Sequence, residues 1–338
     1  MDLITESPDT GSRSERGPRP DGRLAGNGGI ATVLDPRELY TLEEHIPLLN
    51  RPILIHALDG FVDAGEAVRL THEHLLGSLT HEVIGRFDVD QLHDYRARRP
   101  PMVFDADHWE SYAAPELLLY AMTDAAGERF LLLTGPEPDV QWERYIAAVI
   151  GLIEHFGVRL AIGLNAIPMA VPHTRPVGIT SHASRQELIP DNEPWVQRVQ
   201  VPASAGHLLE FRLTERGLDA IGFAAHVPHY LAQTEFPDAA ERLVGAIAMA
   251  GGLVLPTDEL HLAGTAAKLE IDKQVADSPE AMALVGALEQ QYDAFVRGRA
   301  SDLLATGSGD LPSADELGAE LERFLADHTK RQRDDRET

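Results

Sequence analysis

The stretch Pro52-Ile-Leu-Ile-His-Ala-Leu-Asp-Gly-Phe-Val-Asp-Ala-Gly-Glu-Ala67 constrains the fold more than any other. Ile53, Leu54 and Ile55 form a short apolar run, the pattern of a strand covered on both faces. Asp59-Gly60 ends it, since glycine reaches backbone angles closed to other residues. Asp63 then stands where a helix N-cap is expected, with Glu66 three residues on as a capping-box partner. Val68, Leu70, Leu75 and Leu76 continue at helical spacing. A strand running straight into a helix is half of a βαβ unit, and open α/β sheets place their crevices at the carboxyl ends of such strands. Asp59 and Asp63 fall at that edge.

The rest of the chain repeats the theme. Glu82–Phe87, Leu117–Met122, Arg129–Leu133, Leu160–Leu164 and Ile221–Ala225 read as strands, with a turn at Asp124-Ala-Ala-Gly127. Val177–Ser184 is weakly strand-like, and Trp195–Val201 alternates with β-branched residues. Trp142, Tyr145, Val149, Leu152 and Phe156 make an amphipathic helix closed by Gly157. Further helices are expected over 207–216 and 238–250, while 88–101 reads as an exposed polar loop. Beyond Pro256 the pattern becomes wholly helical. Leu260, Ala263, Ala267, Ile271 and Val275 form one stripe, and Met282, Val285, Leu288, Tyr292 and Phe295 another. Ser278-Pro279-Glu280 between them is a stop-and-restart signal. This divides the chain into a disordered segment over 1–28, an α/β domain over 29–256, a helical hairpin over 257–300, and a linker, short helix and charged tail over 301–338.

Acidic residues outnumber basic ones, 54 to 29, for a formal net charge of −25. That disfavours nucleic acid or an anionic membrane surface as a partner. No cysteine is present, which removes disulfides, thiolate metal sites and thiol nucleophiles. The apolar run from Leu243 to Leu255 is broken by glycines and too short to span a bilayer. A soluble, cytoplasmic protein is expected.

Residues able to carry chemistry gather after the strands: Asp59 and Asp63; Gly135-Pro136-Glu137; Asn165, His173 and Arg175; His226 and His229. A hydrolase would use Asp59 or Asp63 as acid-base with His173 or His229, because such groups need only meet in space. Ser181, Ser184 and Ser204 lie in no Gly-x-Ser-x-Gly elbow. Turn and cap chemistry is the simpler account of Asp59 and Asp63. The 15 histidines contain no His-Glu-x-x-His pattern, and no phosphate loop occurs, so no cofactor or metal is expected.

Four segments carry a resemblance: Leu58-Asp-Gly-Phe-Val-Asp-Ala-Gly65, Leu133-Thr-Gly-Pro-Glu-Pro138, Ala166-Ile-Pro-Met-Ala-Val-Pro-His-Thr-Arg-Pro176 and Gly222-Phe-Ala-Ala-His-Val-Pro-His229. In order and approximate spacing they resemble the proteasome assembly chaperone family, in its actinobacterial-like branch, over about residues 35–300. Pro-His-Thr-Arg-Pro is the most specific of them. The resemblance implies a phosphorylase/hydrolase-like three-layer α/β/α fold with the helical hairpin added. It also implies self-association, with a homotrimer favoured, and a protein client as a further partner. Eukaryotic relatives act in pairs on proteasome α-rings through a C-terminal hydrophobic-Tyr-x motif, where this sequence reads Asp335-Arg-Glu-Thr338. The leading expectation is a non-catalytic, self-associating assembly factor or chaperone. The alternative is a hydrolase or nucleosidase-like enzyme whose pocket holds Asp59, Asp63, Asn165, His173, Arg175 and His229.

Overall fold

The computed structural model describes residues 34–60, 62–190 and 198–302. The N-terminal segment, the last short helix and the charged tail expected from sequence lie outside these residues, as does Trp195. In chain order, Pro36–Leu39 is a single 3-10 turn leading into β1 (Tyr40–Leu42). Then come β2 (Ile53–Asp59), α1 (Ala67–Ser78), β3 (Thr80–Phe87), β4 (Met102–Asp105) and β5 (His108–Tyr112). They are followed by β6 (Leu118–Thr123), β7 (Arg129–Pro136), α2 (Trp142–Phe156), β8 (Leu160–Met169) and β9 (Ile179–Ala183). The remainder is α3 (Ala205–Glu215), β10 (Ala220–Pro228), α4 (Pro237–Gly251), α5 (Asp258–Ala276) and α6 (Pro279–Asp302).

Eight strands form one sheet in the order β1-β3-β6-β7-β2-β8-β10-β9. The central strands β7, β2, β8 and β10 are parallel, and the strands on either side run antiparallel. The alternation of side chains along each strand sorts the core into two layers. Ile53, Ile55 and Ala57 meet Val68 and Leu75 of α1 and Leu243 and Ile247 of α4. Leu54, Leu131 and Leu133 meet Tyr145, Ile146 and Val149 of α2 and Leu209 and Leu213 of α3. The fold is thus three-layered, α/β/α. Ahead of β1, Leu39 is fully buried in the second layer, and Arg144 of α2 holds the Asp35 carbonyl.

Several boundaries differ from the sequence expectation. Strands β8 and β10 run on through Met169 and Pro228, because their ladder continues to the pair Pro228↔Met169. Asn165 and His226 are therefore strand residues rather than loop residues. Residues 198–204 form no strand. Strands β4 and β5 form a separate two-stranded hairpin just beyond the loop expected over 88–101, in a stretch that carried no strand expectation. The turn after β2 also works differently. It is Gly65, at φ 67°, that takes the left-handed conformation. Gly60 is needed for room: a Cβ there would lie 2.6 Å from Cβ of Glu137.

The helical hairpin α5–α6 continues from α4. Leu260 packs with Ala240 and Val244, and Ile271 enters the α1/α4 layer. Lys268 pairs with Asp238 at 2.7 Å. No helix among the described residues is long and apolar enough to cross a membrane.

Candidate functional site

Each predicted site residue sits near the carboxyl ends of the parallel strands, but they fall into three separate groups. Asp59, the last residue of β2, points its carboxylate at His72 of α1, with Oδ1 3.2 Å from Nε2. Asp63 accepts the Val68 and Arg69 backbone N–H groups at 2.8 and 3.0 Å. It caps α1 from outside the preceding 3-10 turn, because Glu66, at φ 51°, is the residue that flanks the helix. Glu66 closes no capping box; its carboxylate takes Arg69 instead. Burial, helped by the charge of Asp59, raises the Asp63 carboxyl above its ordinary value against the pull of those two N–H donors.

The second group is built on the Pro172-His-Thr-Arg-Pro176 segment. His173 is buried. Its backbone N–H donates to the Tyr230 hydroxyl at 2.9 Å, and that hydroxyl also meets His173 Nδ1 at 2.7 Å. The Asp272 carboxylate of α5 can only accept, so Nε2 carries the hydrogen and donates to it at 3.0 Å, leaving Nδ1 of the neutral ring to accept from the hydroxyl. The hydroxyl–imidazole–carboxylate order is that of a proton relay. Burial holds Tyr230 above its usual range, however, so the hydroxyl is no ionised nucleophile. Arg175 grips Asp293 of α6 with two parallel bonds of 2.8 Å and reaches Glu289 at 3.2 Å. Thr174 donates to the same Glu289, and Tyr292 reaches the Pro176 carbonyl. His229 packs edge-on against Tyr230, with ring centroids 5.4 Å apart, and burial lowers its pKa. The segment is thereby occupied in holding the helical hairpin to the sheet.

Asn165 belongs to the third group, in the α2/α3 layer. Its Oδ1 accepts the Ala166 N–H at 2.7 Å, and its Nδ2 faces His207 Nε2 at 3.3 Å. Close by, Glu137 accepts the Ala205 N–H that opens α3, and burial raises its carboxyl. Arg98 reaches in from the loop after β3 to the carbonyls of Asp59 and Glu137 and to the Asp139 carboxylate. Tyr145 Oη is buried without a partner. The surface beside Glu137, lined by Val89, Leu92, His93 and Leu117 among others, is a shallow cleft that encloses no room for a ligand.

Asp59, Asn165, His173 and His229 share no hydrogen bond with one another among the described residues. Ser184 and Ser204 accept backbone N–H groups at the starts of β10 and α3. No cluster among the described residues could hold a metal ion. Sequence reasoning missed His72, Tyr230, Asp272, Glu289 and Asp293. Only the last two carried a signal, as acids four apart on one helix face.

Comparison with other proteins adds to this geometry. A Mycobacterium tuberculosis protein of unknown function, Rv2714, is 48% identical, with a TM-score of 0.75 over 77% of this chain and 92% of its own. A protein of unknown function from Corynebacterium glutamicum is 38% identical, with a TM-score of 0.74 over 77% and 98%. The Mycobacterium tuberculosis proteasome-assembly chaperone homologue Rv2125 shares the fold at 22% identity, with a TM-score of 0.63 over 69% and 99%. No curated protein matches the sequence. The PAC2 family pattern matches residues 57–275, most of the described body, and with that the chain belongs to the PAC2 family.

Proposed function

We propose that this chain is a non-catalytic, self-associating protein of the assembly-chaperone type. It works in the cytoplasm as a homo-oligomer, with a trimer favoured, and engages a protein client. The observation that carries this reading is the β4–β5 hairpin. Every residue of its two strands is exposed, including Met102, Val103, Phe104, Trp109 and Tyr112. An isolated two-stranded hairpin is marginally stable in water, and a contiguous apolar surface of this kind marks a contact site. The separation of Asp59, Asn165 and His173 into different hydrogen-bonded groups supports the same reading. So does the fold shared with a protein described as a proteasome-assembly chaperone homologue.

The test is affinity capture of the chain from cell extract, with mass spectrometry of bound proteins and bound metabolites. The reading expects a protein partner in fixed ratio that is lost from the double variant Phe104→Asp with Trp109→Asp. A co-purifying metabolite in fixed ratio, unaffected by those changes, would favour the hydrolase or nucleosidase-like alternative instead.

A further inference from the structure

The start of α3 is set in a cluster of imidazoles, one of which, His207, has a hydrogen-bond partner that suits only its neutral form. Asn165 is the fixed point. Its Oδ1 accepts the Ala166 backbone N–H, so the group facing His207 Nε2 at 3.3 Å is the amide NH₂, a donor. His207 Nε2 must then be the bare, accepting nitrogen. The ring's hydrogen lies on Nδ1, which is buried without a partner. A second proton on His207 would set N–H against N–H at Asn165.

The surroundings offer little relief. From β9, His182 stands with its ring centroid 6.2 Å from that of His207, and its Nδ1 is taken by Glu210 of α3 at 2.8 Å. From β2, His56 lies beside Gly206, the residue before His207, and close against Gly163 of β8. At the end of β7, the Glu137 carboxylate already accepts the Ala205 N–H. Glu210 is the one group that draws a proton toward His207; burial and His182 oppose it and prevail, keeping His207 below its ordinary value. Gly163, Gly206 and Gly222 leave room for these rings, since a Cβ at Gly222 would fall 2.0 Å from His182 Cε1 and one at Gly163 2.7 Å from His56 Cε1.

We propose that His207 and Asn165 form an acid-sensitive latch: neutral His207 holds the first turn of α3 against β8, and protonation releases it. Release uncovers Glu137 just beyond β7, Asn165 of β8 and His56 of β2, without unfolding the sheet. The inference stands apart from the assembly-chaperone reading, since it rests on other residues.

Hydrogen–deuterium exchange of the full chain at pH 7.5 and 5.5, corrected for the intrinsic rate, tests it. In the wild type, exchange of α3's first turns rises at pH 5.5 several-fold more than that of β2 and α2, which follow global stability. His207→Gln can accept from Asn165 but cannot titrate, so its α3 exchange changes with pH only as β2 and α2 do. Asn165→Asp keeps an acceptor for Ala166 and offers a carboxylate to the imidazolium, so acid protects rather than exposes α3. His207 followed by its imidazole carbon resonance titrates below the free-histidine value in the wild type and above it in Asn165→Asp. A wild-type chain with no acid response in α3, or a His207→Gln variant that keeps the response, overturns the latch.

Discussion

Gly135, within the Leu133–Pro138 motif, gives a demanding test of the packing at the sheet's carboxyl edge. Its backbone sits at φ 137°, and a Cβ there would lie 2.2 Å from the Glu116 carbonyl oxygen and 2.7 Å from Leu117 Cα. Both obstacles are backbone atoms just ahead of β6, which is laddered to β7 through Leu118↔Thr134. They cannot swing aside as a flexible side chain would. Gly135→Ala therefore incurs about 1–3 kcal/mol for the disfavoured dihedral and about 1–3 kcal/mol for overpacking. Gly127→Ala is the control: its φ is 88°, and a Cβ would meet nothing within 4 Å. It should incur only the dihedral cost. Urea unfolding followed by circular dichroism, at one protein concentration, compares the two. The expected gap is about 1–3 kcal/mol, with Gly135→Ala the less stable. Equal losses would refute the claim that the close approach of β6 and β7 demands glycine.

Other expectations follow from the same geometry. Gly60→Val should destabilise more than Asp63→Ala, because the added Cβ meets Glu137 at 2.6 Å whereas the second change removes a helix cap of about 1 kcal/mol; equal melts would remove the argument. Leu288, only 6% exposed, should lose about 3 kcal/mol or more on change to Asp, which buries an unpaired charge, and thermal melts check this. Burial holds His56 and His226 down to about 4, so the unfolded chain binds more protons below pH 6.5. Stability should then be complete above that pH and fall by about 1 kcal/mol per pH unit for each histidine between pH 6.5 and 5. Urea midpoints across that range, flattened in His56→Gln, test the sign.

The central strands were legible because burial on both faces writes β2, β7, β8 and β10 as unbroken apolar runs. Their ends were not. Pro168 and Pro228 read as breakers, yet a proline removes only one donor, and the β8/β10 ladder carries past Pro168 and ends on Pro228 itself. The β4–β5 hairpin escaped for the opposite reason: its apolar residues face outward, so no buried face gave it a pattern. His173 and Arg175 stood out in sequence, but what they do depends on Asp272, Glu289 and Asp293, roughly a hundred residues away on helices whose acids look like any solvated face. Asn165 was grouped with them by its place after a strand; one step of pleat sends it to the other layer, against His207.

Self-association is the central claim, and the mass of the full chain in solution tests it most directly. Light scattering at micromolar concentration should give about three times the 37.0 kDa chain mass. A wild-type protein that scatters as a 37.0 kDa monomer would contradict the account.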